Sequence, residues 1–234
     1  KVYGISRRNF KHELFENFSA DVNDYDAVAD IFKTIYDNEG RIDVLINNAG
    51  YGIAGALCDS KTANIENIIK TNLTSVAVLS SKIIPYLKEC KGKIINISSV
   101  GGIIPLPYQA CYSATKAGVE VLSRAVANEV KPYGIKVTAV LPGDTKTGFT
   151  DARVIDKSKD EVNSARMTRS VEKMANDERK GKDPVFIAKA INKIIKKRNP
   201  PLRITVGFVS KLEIFLTRVL PLKLVNYIVY KLYG

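Results

Sequence analysis

Short apolar runs alternate along the chain with longer segments in which apolar residues recur every three or four positions. Short runs of this kind are typical of buried β-strands, and the longer periodic segments are typical of helices that bury one face. The pattern predicts strands over residues 2–6, 18–22, 42–46, 93–97, 135–140 and 202–206. It predicts helices over residues 24–38, 61–88 and 110–131, and further helical sequence over 151–198.

Strands that alternate with helices of this length form βαβ units, in which the strands run parallel. Their uninterrupted apolar sequence indicates that helices cover both faces of the sheet. We therefore predict an α/β fold with a doubly wound, Rossmann-type parallel sheet. Ligands of such sheets bind beyond the carboxyl ends of the strands. Polar or glycine-containing clusters follow four predicted strands, which predicts one cleft built from the loops 6–8, 47–50, 98–102 and 142–147.

The composition narrows the class of protein. The 234 residues are 45% apolar, which is enough for the core of one large domain. Three cysteines, Cys58, Cys90 and Cys111, are odd in number and lack metal-ligand spacing. They predict a reducing, cytoplasmic environment without a disulfide scaffold or a metal site. The single histidine, His12, lies in a polar stretch and is expected on the surface, so catalysis centred on histidine is not expected.

The positive charge is concentrated in the last third of the chain. Residues 1–150 hold 17 basic and 15 acidic side chains, whereas residues 151–234 hold 19 and 9, so their net charges are +2 and +10. This third could contact nucleic acid, an anionic membrane or an anionic ligand, or could simply be solvated. Without a nucleic-acid motif or aromatic residues interleaved with the basic ones, we expect no nucleic-acid partner.

The last segment, residues 207–234, is an amphipathic tail in which lysines and arginines interrupt the apolar residues. No apolar run is long enough to predict a membrane-spanning helix. The tail could lie on a membrane surface, roof a lipophilic substrate pocket, contact a partner or pack on the domain, and the sequence leaves these alternatives open.

One helix carries the strongest candidate chemistry. Tyr112 and Lys116 are four residues apart, so their side chains share a helix face. A neighbouring ammonium favours the phenolate and lowers the pKa of a tyrosine, which would let it exchange protons. The same spacing recurs at Tyr227 and Lys231, so the pair alone is not specific.

The surroundings of this pair are more specific. Ser99 lies thirteen residues before Tyr112, Asn-Asn-Ala-Gly occupies 47–50, Asn72 lies inside a predicted helix, and Pro-Gly-x-x-x-Thr begins at Pro142. In this order and at these spacings, the chain resembles the short-chain dehydrogenase/reductase family. The resemblance extends over residues 1–206.

The resemblance implies an oxidoreductase that acts on CH–OH groups with a nicotinamide cofactor. It implies that Tyr112 exchanges a proton with the substrate oxygen and that Ser99 holds that oxygen. It implies that Lys116 lowers the pKa of Tyr112 and hydrogen-bonds the nicotinamide ribose. Asn72 would position a water in a proton relay to Lys116.

The resemblance also implies a cofactor site, and residues 6–8 indicate which cofactor it takes. NAD-preferring members end the corresponding strand with a carboxylate that binds the ribose 2′-hydroxyl. Here the strand ends in Ser6, Arg7 and Arg8, which suit a 2′-phosphate, so we predict NADP(H) over NAD(H). The alternative is that both arginines are ordinary surface residues. The other implied cofactor contacts are Asp21 and Val22 at the adenine, Asn48, Ala49 and Gly50 along the cofactor, and Pro142, Thr145 and Thr147 at the nicotinamide, together with Tyr112 and Lys116.

The chain departs from the family at its beginning. The family opens with a strand and a glycine-rich turn that binds the pyrophosphate. Neither is found here, and the first predicted strand corresponds to the family's second. On the sequence alone we expect an N-terminally incomplete chain with weak cofactor binding.

The resemblance divides the chain and suggests its ligands. It implies a catalytic domain over 1–206, in which 151–183 form a substrate lid, followed by the tail over 207–234. Residues 199–207 and the tail resemble the branch of hydroxysteroid (17β type) and retinol dehydrogenases. This implies a lipophilic ketone or secondary alcohol as the substrate, and the family implies a homo-oligomer.

Two further functions stay open at this point. A non-catalytic NADP-binding regulator could share the fold, although intact Ser99, Asn72, Tyr112 and Lys116 argue against it. An epimerase or dehydratase of the related extended family is disfavoured because the chain is short and has no C-terminal substrate domain.

Overall fold

The computed structural model describes residues 1–234 and has alternating strands and helices. The strands are β1 (Tyr3–Ser6), β2 (Glu16–Ser19), β3 (Val44–Asn47), β4 (Ile53–Ala54), β5 (Lys93–Ile97), β6 (Lys136–Pro142), β7 (Val154–Ile155) and β8 (Arg203–Val206). The helices are α1 (Tyr25–Glu39), α2 (Thr62–Ile69), α3 (Ser75–Leu87), α4 (Ala110–Glu129), α5 (Glu161–Arg179), α6 (Pro184–Lys196), α7 (Phe208–Val219) and α8 (Leu222–Tyr233).

All of the strand pairs are parallel. The largest sheet has the order β3-β5-β6-β8, and two smaller sheets pair β1 with β2 and β4 with β7. Strand β1 pairs only with β2, and β3 pairs only with β5. The predicted parallel α/β sheet is therefore confirmed, and the short β4–β7 pair is an addition that the apolar pattern did not predict.

Successive residues of β5 show why the sheet is covered on both faces. Ile94 is buried against α1 and α3, in a core cluster with Phe32 and Ile83. The next residue, Ile95, is buried on the opposite face in a second cluster with Ile194 of α6. Because side chains alternate across a strand, two consecutive isoleucines serve two separate layers. The doubly wound arrangement is confirmed.

Helix α1 begins and ends where its sequence predicts. The Asp24 carboxylate accepts a hydrogen bond from the Ala27 N–H at 3.1 Å, and Gly40 ends the helix with φ of +71°. The strand predicted over 18–22 ends earlier, at Ser19, because Asp21 forms a turn that leads into the helix. Its carboxylate accepts from the Asn23 N–H at 2.8 Å.

Two predicted helices are interrupted. The helix predicted over 61–88 contains a π-helical turn at Lys70–Thr74 between α2 and α3. Such turns insert one extra residue and are frequent at functional sites. The segment predicted as helical over 151–198 contains β7 and then two helices. The two helices are separate because Asp183 caps α6 and Pro184 occupies its first position.

The tail forms two helices that Pro221 separates. Ile214 of α7 packs against Ala139 and Leu141 of β6, and α8 lies against α5. The outward faces carry some of the most exposed apolar side chains of the chain, including Phe208 at 81% and Leu222 at 74%. No helix has the length and apolar content needed to cross a membrane.

Candidate active site

The loops that follow β1, β3, β5 and β6 line one cavity of about 840 Å³. They contribute, in order, Arg8, Asn48 and Gly50, the segment 98–101, and the segment 142–145. The four clusters that the sequence placed at strand ends therefore meet at one site, as the geometry of a parallel sheet requires.

Helix α4 carries Tyr112 and Lys116 into the floor of this cavity. The two side chains are buried, with 9% and 5% of their surfaces exposed, and the Lys116 ammonium lies 5.9 Å from the centre of the Tyr112 ring. The ammonium donates a hydrogen bond to the Ile97 carbonyl at 2.8 Å. This bond joins α4 to the carboxyl end of β5.

Gly50 lets the backbone approach these side chains closely. A Cβ at this position would lie 3.0 Å from the Asn72 Oδ1 and 3.5 Å from the Lys116 Nζ. The glycine therefore leaves room beside the ammonium, where any larger residue would crowd it.

Ser98 and Ser99 have separate roles in the turn that follows β5. The Ser98 hydroxyl is buried and donates to the Lys116 carbonyl at 2.7 Å, so it fastens the turn to α4. The Ser99 hydroxyl accepts from the Gly101 N–H at 3.1 Å. A Cβ on Gly101 would lie 3.4 Å from the Ser99 Oγ and 3.5 Å from the Tyr112 Cε1, so the serine and the tyrosine border the same space.

Burial controls the ionisation of the pair. Burial raises the pKa of Tyr112 to about 12, and the Ser99 hydroxyl opposes this change. Burial also lowers the pKa of Lys116 to about 8. The charges that act on this pKa belong to Glu178, which raises it, and Arg153, which lowers it, so the lowering expected from Lys116 stays a prediction.

We expect the stability of the fold to depend on pH through the ionisation of Lys116. The pKa of Lys116 is about 8 in the folded protein and 10.5 when solvated. Burying the charged form therefore lowers the stability of the fold, and the whole of this loss is present below pH 8. As the pH rises from 8 to 10.5, the unfolded chain holds more protons than the folded one, and stability rises. Urea unfolding at several pH values should show the unaltered protein gaining about 3 kcal/mol relative to Lys116→Met across this range. A pH-independent difference between the two proteins would contradict the assignment.

Asn72 holds the loop after β3, and its predicted part in a proton relay stays a prediction. It lies in the π-helical turn, 1% exposed, and does not line the cavity. Its Oδ1 accepts from the Tyr51 N–H at 3.0 Å, and its Nδ2 donates to the Tyr51 carbonyl at 2.9 Å. The Nδ2 also donates to the Thr115 hydroxyl at 3.4 Å, so the side chain joins the loop after β3 to α4.

The residues predicted to contact the cofactor fall into two sets. The residues that line the cavity are Arg8, Asn48, Gly50, Tyr112, Lys116, Pro142, Thr145 and Thr147. The residues that do not line it are Ser6, Arg7, Asp21, Val22 and Ala49. Three of the second set have local roles, since Ser6 donates to the Arg8 carbonyl, Asp21 forms the turn before α1, and Val22 packs on the core.

The cavity includes groups that the sequence analysis did not single out. Asp144, Glu178 and Glu213 place carboxylates in its lining. Burial, followed by repulsion from Asp177 and then from the other carboxylates, raises the pKa of Asp144 to about 6. Asp144 lies within the predicted loop 142–147, but nothing in the sequence showed that the other two would join it.

Helices α6, α7 and α8 supply an apolar part of the lining. The residues that they contribute include Ile187, Ile191, Leu216, Val225, Ile228 and Leu232. Of the alternatives left open for the tail, the structure therefore shows it forming a wall of the pocket. The tail also packs on the domain, as Ile214 does.

The strand-end residues fit a nicotinamide dinucleotide. Gly50 permits close approach beside Lys116. Lys116 has only one acceptor, the Ile97 carbonyl, so its ammonium can donate to a ribose hydroxyl as well. Arg8 lines the cavity and forms no ion pair. Arg8 can therefore bind a phosphate.

Comparison with known proteins gives the same result. A family model described as short chain dehydrogenase matches residues 7–158. A 3-ketodihydrosphingosine reductase of Bacteroides thetaiotaomicron is 40% identical over 210 residues, covering 88% of this chain and 78% of that protein. A solved short-chain dehydrogenase from Streptomyces avermitilis is 27% identical with a TM-score of 0.77, covering 94% of this chain and 78% of the other. ElxO, solved with NADP bound, is 28% identical with a TM-score of 0.67, covering 84% and 79%.

The family match spans more than half of the chain and includes every residue of the Ser99, Tyr112 and Lys116 arrangement. The fold, the strand-end cavity and the buried tyrosine agree with it. The chain belongs to the short-chain dehydrogenase family and is an oxidoreductase that acts on CH–OH groups.

Proposed function

We propose that the protein is an NADP(H)-dependent reductase of lipophilic ketones that can also oxidise the corresponding secondary alcohols. The observation that carries the proposal is the buried Tyr112 phenol, which shares a cavity with Ser99 and with the apolar side of helices α6–α8. A protonated phenol at the bottom of an apolar pocket is a proton donor for a carbonyl oxygen.

Each of the three polar side chains has one task in this proposal. The Ser99 hydroxyl holds the substrate oxygen, and the Tyr112 hydroxyl donates a proton to that oxygen as the alcohol forms. The Lys116 ammonium anchors the cofactor's ribose and stabilises negative charge on the Tyr112 oxygen. The bound nicotinamide cofactor supplies the hydride. Because burial keeps Tyr112 protonated at neutral pH, these side chains suit reduction better than oxidation.

The preference for NADP(H) rests on Arg8. Arg8 lines the cavity and has no carboxylate partner, and ElxO, a relative, was solved with NADP bound. We expect Arg8→Ala to raise the Kd for NADPH about 10-fold or more and to leave the Kd for NADH nearly unchanged, since it removes a charged hydrogen bond to the 2′-phosphate. Lys11→Ala, which removes an exposed charge from the same segment, is the control for non-specific attraction. An equal loss for both cofactors would contradict the assignment to the 2′-phosphate.

The lipophilic substrate is supported by the wall that α6–α8 form and by the 3-ketodihydrosphingosine reductase to which the chain is similar. We propose that 1–206 form the catalytic domain, that 151–183 cover the substrate and that 207–234 contact its apolar part. The resemblance to hydroxysteroid and retinol dehydrogenases remains part of this proposal.

The test is NADPH oxidation with 2-alkanones of increasing length, beside a ketosteroid, retinal and a 3-ketoacyl thioester. Each methylene that enters the apolar wall should raise kcat/KM about fourfold, since burial of one CH₂ is worth about 0.8 kcal/mol. No oxidation with any carbonyl compound would contradict the proposed function. Rates that do not depend on chain length would contradict the lipophilic substrate alone.

We also propose that the tail binds the surface of anionic membranes. The segment 208–234 combines strongly exposed apolar side chains with four basic residues and one acidic residue. Vesicles that contain phosphatidylglycerol should co-sediment the protein, vesicles of phosphatidylcholine alone should not, and salt should weaken the binding. The variant with Phe208→Ser and Leu222→Ser should lose binding, whereas Leu14→Ser, at a site equally exposed but distant in sequence, should not. If light scattering shows a homo-oligomer that the tail variant dissociates, the same face is a subunit interface instead.

A further inference from the structure

Arg153 and Glu178 form a buried ion pair at the wall of the cavity. Their side chains are only 2% and 15% exposed, and a terminal guanidinium nitrogen of Arg153 donates to the Glu178 Oε1. The other carboxylate oxygen accepts from the Thr150 hydroxyl at 2.6 Å. Glu178 lines the cavity together with Tyr112, whereas Arg153 lies outside its lining. The proposed reaction assigns no role to either charge.

Contacts through Phe149 connect the ion pair to the tyrosine. A Cβ on Gly52 would lie 3.1 Å from the Phe149 Cζ and 3.4 Å from the Arg153 Nε, so these two side chains meet at the same glycine. The centre of the Phe149 ring lies 5.7 Å from the centre of the Tyr112 ring. Because both charges are largely shielded from water, they act over longer distances than surface charges do.

The ion pair is poorly built for stability alone. A guanidinium has five N–H groups, and the only hydrogen bond that the Arg153 side chain donates goes to Glu178. Its Nε is buried and has no partner. Burial of two charges costs more than their attraction returns unless further hydrogen bonds satisfy them. We therefore looked to the reaction for the role of this pair.

The two charges act on Tyr112 in opposite directions. Burial raises the pKa of Tyr112 and the Ser99 hydroxyl lowers it, and then the Glu178 carboxylate raises it while the Arg153 guanidinium lowers it. Of the two charges, the carboxylate has the larger effect. The other titratable groups around the tyrosine are Lys116 and Cys111 on α4, Tyr51 after β3, and Asp144 and Glu213 in the cavity lining.

We propose that Glu178 keeps Tyr112 protonated for ketone reduction and that Arg153, by partly cancelling this carboxylate, allows the tyrosine to give up its proton. The inference rests on the proposed function and adds two positioning residues to it, which act through Tyr112. In reduction, Tyr112 passes its proton to the substrate oxygen and is left with a negative charge. A carboxylate without its partner would oppose that step, and a guanidinium without its partner would favour loss of the proton to solvent.

The test is the pH dependence of kcat for oxidation of 2-decanol with NADP+, which requires the ionised tyrosine and rises with pH. Glu178→Gln leaves only the guanidinium and should move this pH profile about one unit toward lower pH. Arg153→Met leaves only the carboxylate and should move the profile about one unit toward higher pH. The double variant removes both charges. It should move the profile by less than about half a unit, toward lower pH, because the carboxylate has the larger effect.

Two further variants separate charge from packing. Arg153→Lys keeps the positive charge without the planar guanidinium, so it should keep the pH profile of the unaltered protein. Lys33→Met removes one charge of an exposed ion pair on α1 and should leave the profile unchanged. Each single variant of the buried pair leaves a charge unpaired and is expected to be less stable, whereas removal of both charges is often neutral. If the single variants do not fold, the double variant decides, and a profile that stays in place or moves toward higher pH overturns the inference.

NMR of protein isotope-labelled at the tyrosine Cζ reports the same titration without turnover, and the signal that Tyr112→Phe removes identifies Tyr112. If neither 2-decanone nor 2-decanol is turned over, the proposed function fails, and the NMR titration still tests the ion pair. The inference is overturned if the two single variants move the titration of Tyr112 in the same direction. It is also overturned if they lower kcat and leave the titration in place, which is the result expected of a purely structural pair.

Discussion

Tyr112→Phe should lower kcat for ketone reduction by about 10²–10⁴-fold, the range that a positioned acid contributes. The substitution removes only the hydroxyl. The ring keeps its contacts with Ile53 and Ile68 and remains 5.7 Å from the centre of the Phe149 ring, so the fold should be unaffected. Stopped-flow measurement of hydride transfer under saturating NADPH, with a separate NADPH titration, tests whether chemistry is lost while binding is kept.

A matched control lies elsewhere in the chain. Tyr227 and Lys231 repeat the spacing of Tyr112 and Lys116 on α8, but the Tyr227 side chain is 56% exposed. Tyr227→Phe should leave kcat unchanged. If both variants kept full activity, Tyr112 would not be the proton donor. If Tyr112→Phe also lost NADPH binding, the loss of turnover would have to be assigned to the cofactor site.

Gly102→Ala should damage both stability and turnover. A Cβ on Gly102 would lie 2.7 Å from the Lys116 carbonyl carbon and 2.8 Å from the Ala117 nitrogen, and both are backbone atoms of α4 that cannot move aside. Overpacking of this kind costs about 1–3 kcal/mol. The turn that carries Ser99 must also move away from Tyr112, and a displacement of about 1 Å in an active site can cost about 100-fold in rate.

Gly148→Ala is the control for the stability measurement, because nothing lies within 4 Å of a Cβ at that position. Urea unfolding should show a loss for Gly102→Ala and none for Gly148→Ala. A Gly102→Ala protein with normal stability and turnover would show that the turn after β5 is not held against α4 as tightly as the structure indicates.

The sequence predicted those elements of the fold that a short apolar run or a helix cap specifies within a few residues. Strand β5 was predicted at its observed bounds, and α1 was predicted from Asp24 and Gly40, because buried apolar runs and helix caps act within a few residues. The π-helical turn around Asn72 was not predicted. It depends on hydrogen bonds to Tyr51, twenty-one positions away in the chain, which no local pattern contains.

The candidate site divides in the same way. Spacing along α4 and the strand-end rule brought Ser99, Tyr112 and Lys116 together. The sequence could not show that burial would raise the pKa of Tyr112, because burial depends on every element around the pocket.

The lining of the cavity comes from two separate stretches of the chain. The segments that carry Ser99, Tyr112 and Lys116 lie within the family match at 7–158, whereas α6, α7 and α8 lie beyond it. Substitutions in the apolar wall can therefore leave the segments that carry the reacting groups unchanged. Exchange of the C-terminal helices between members of the family would then offer protein engineers a way to change specificity while the catalytic segments stay constant.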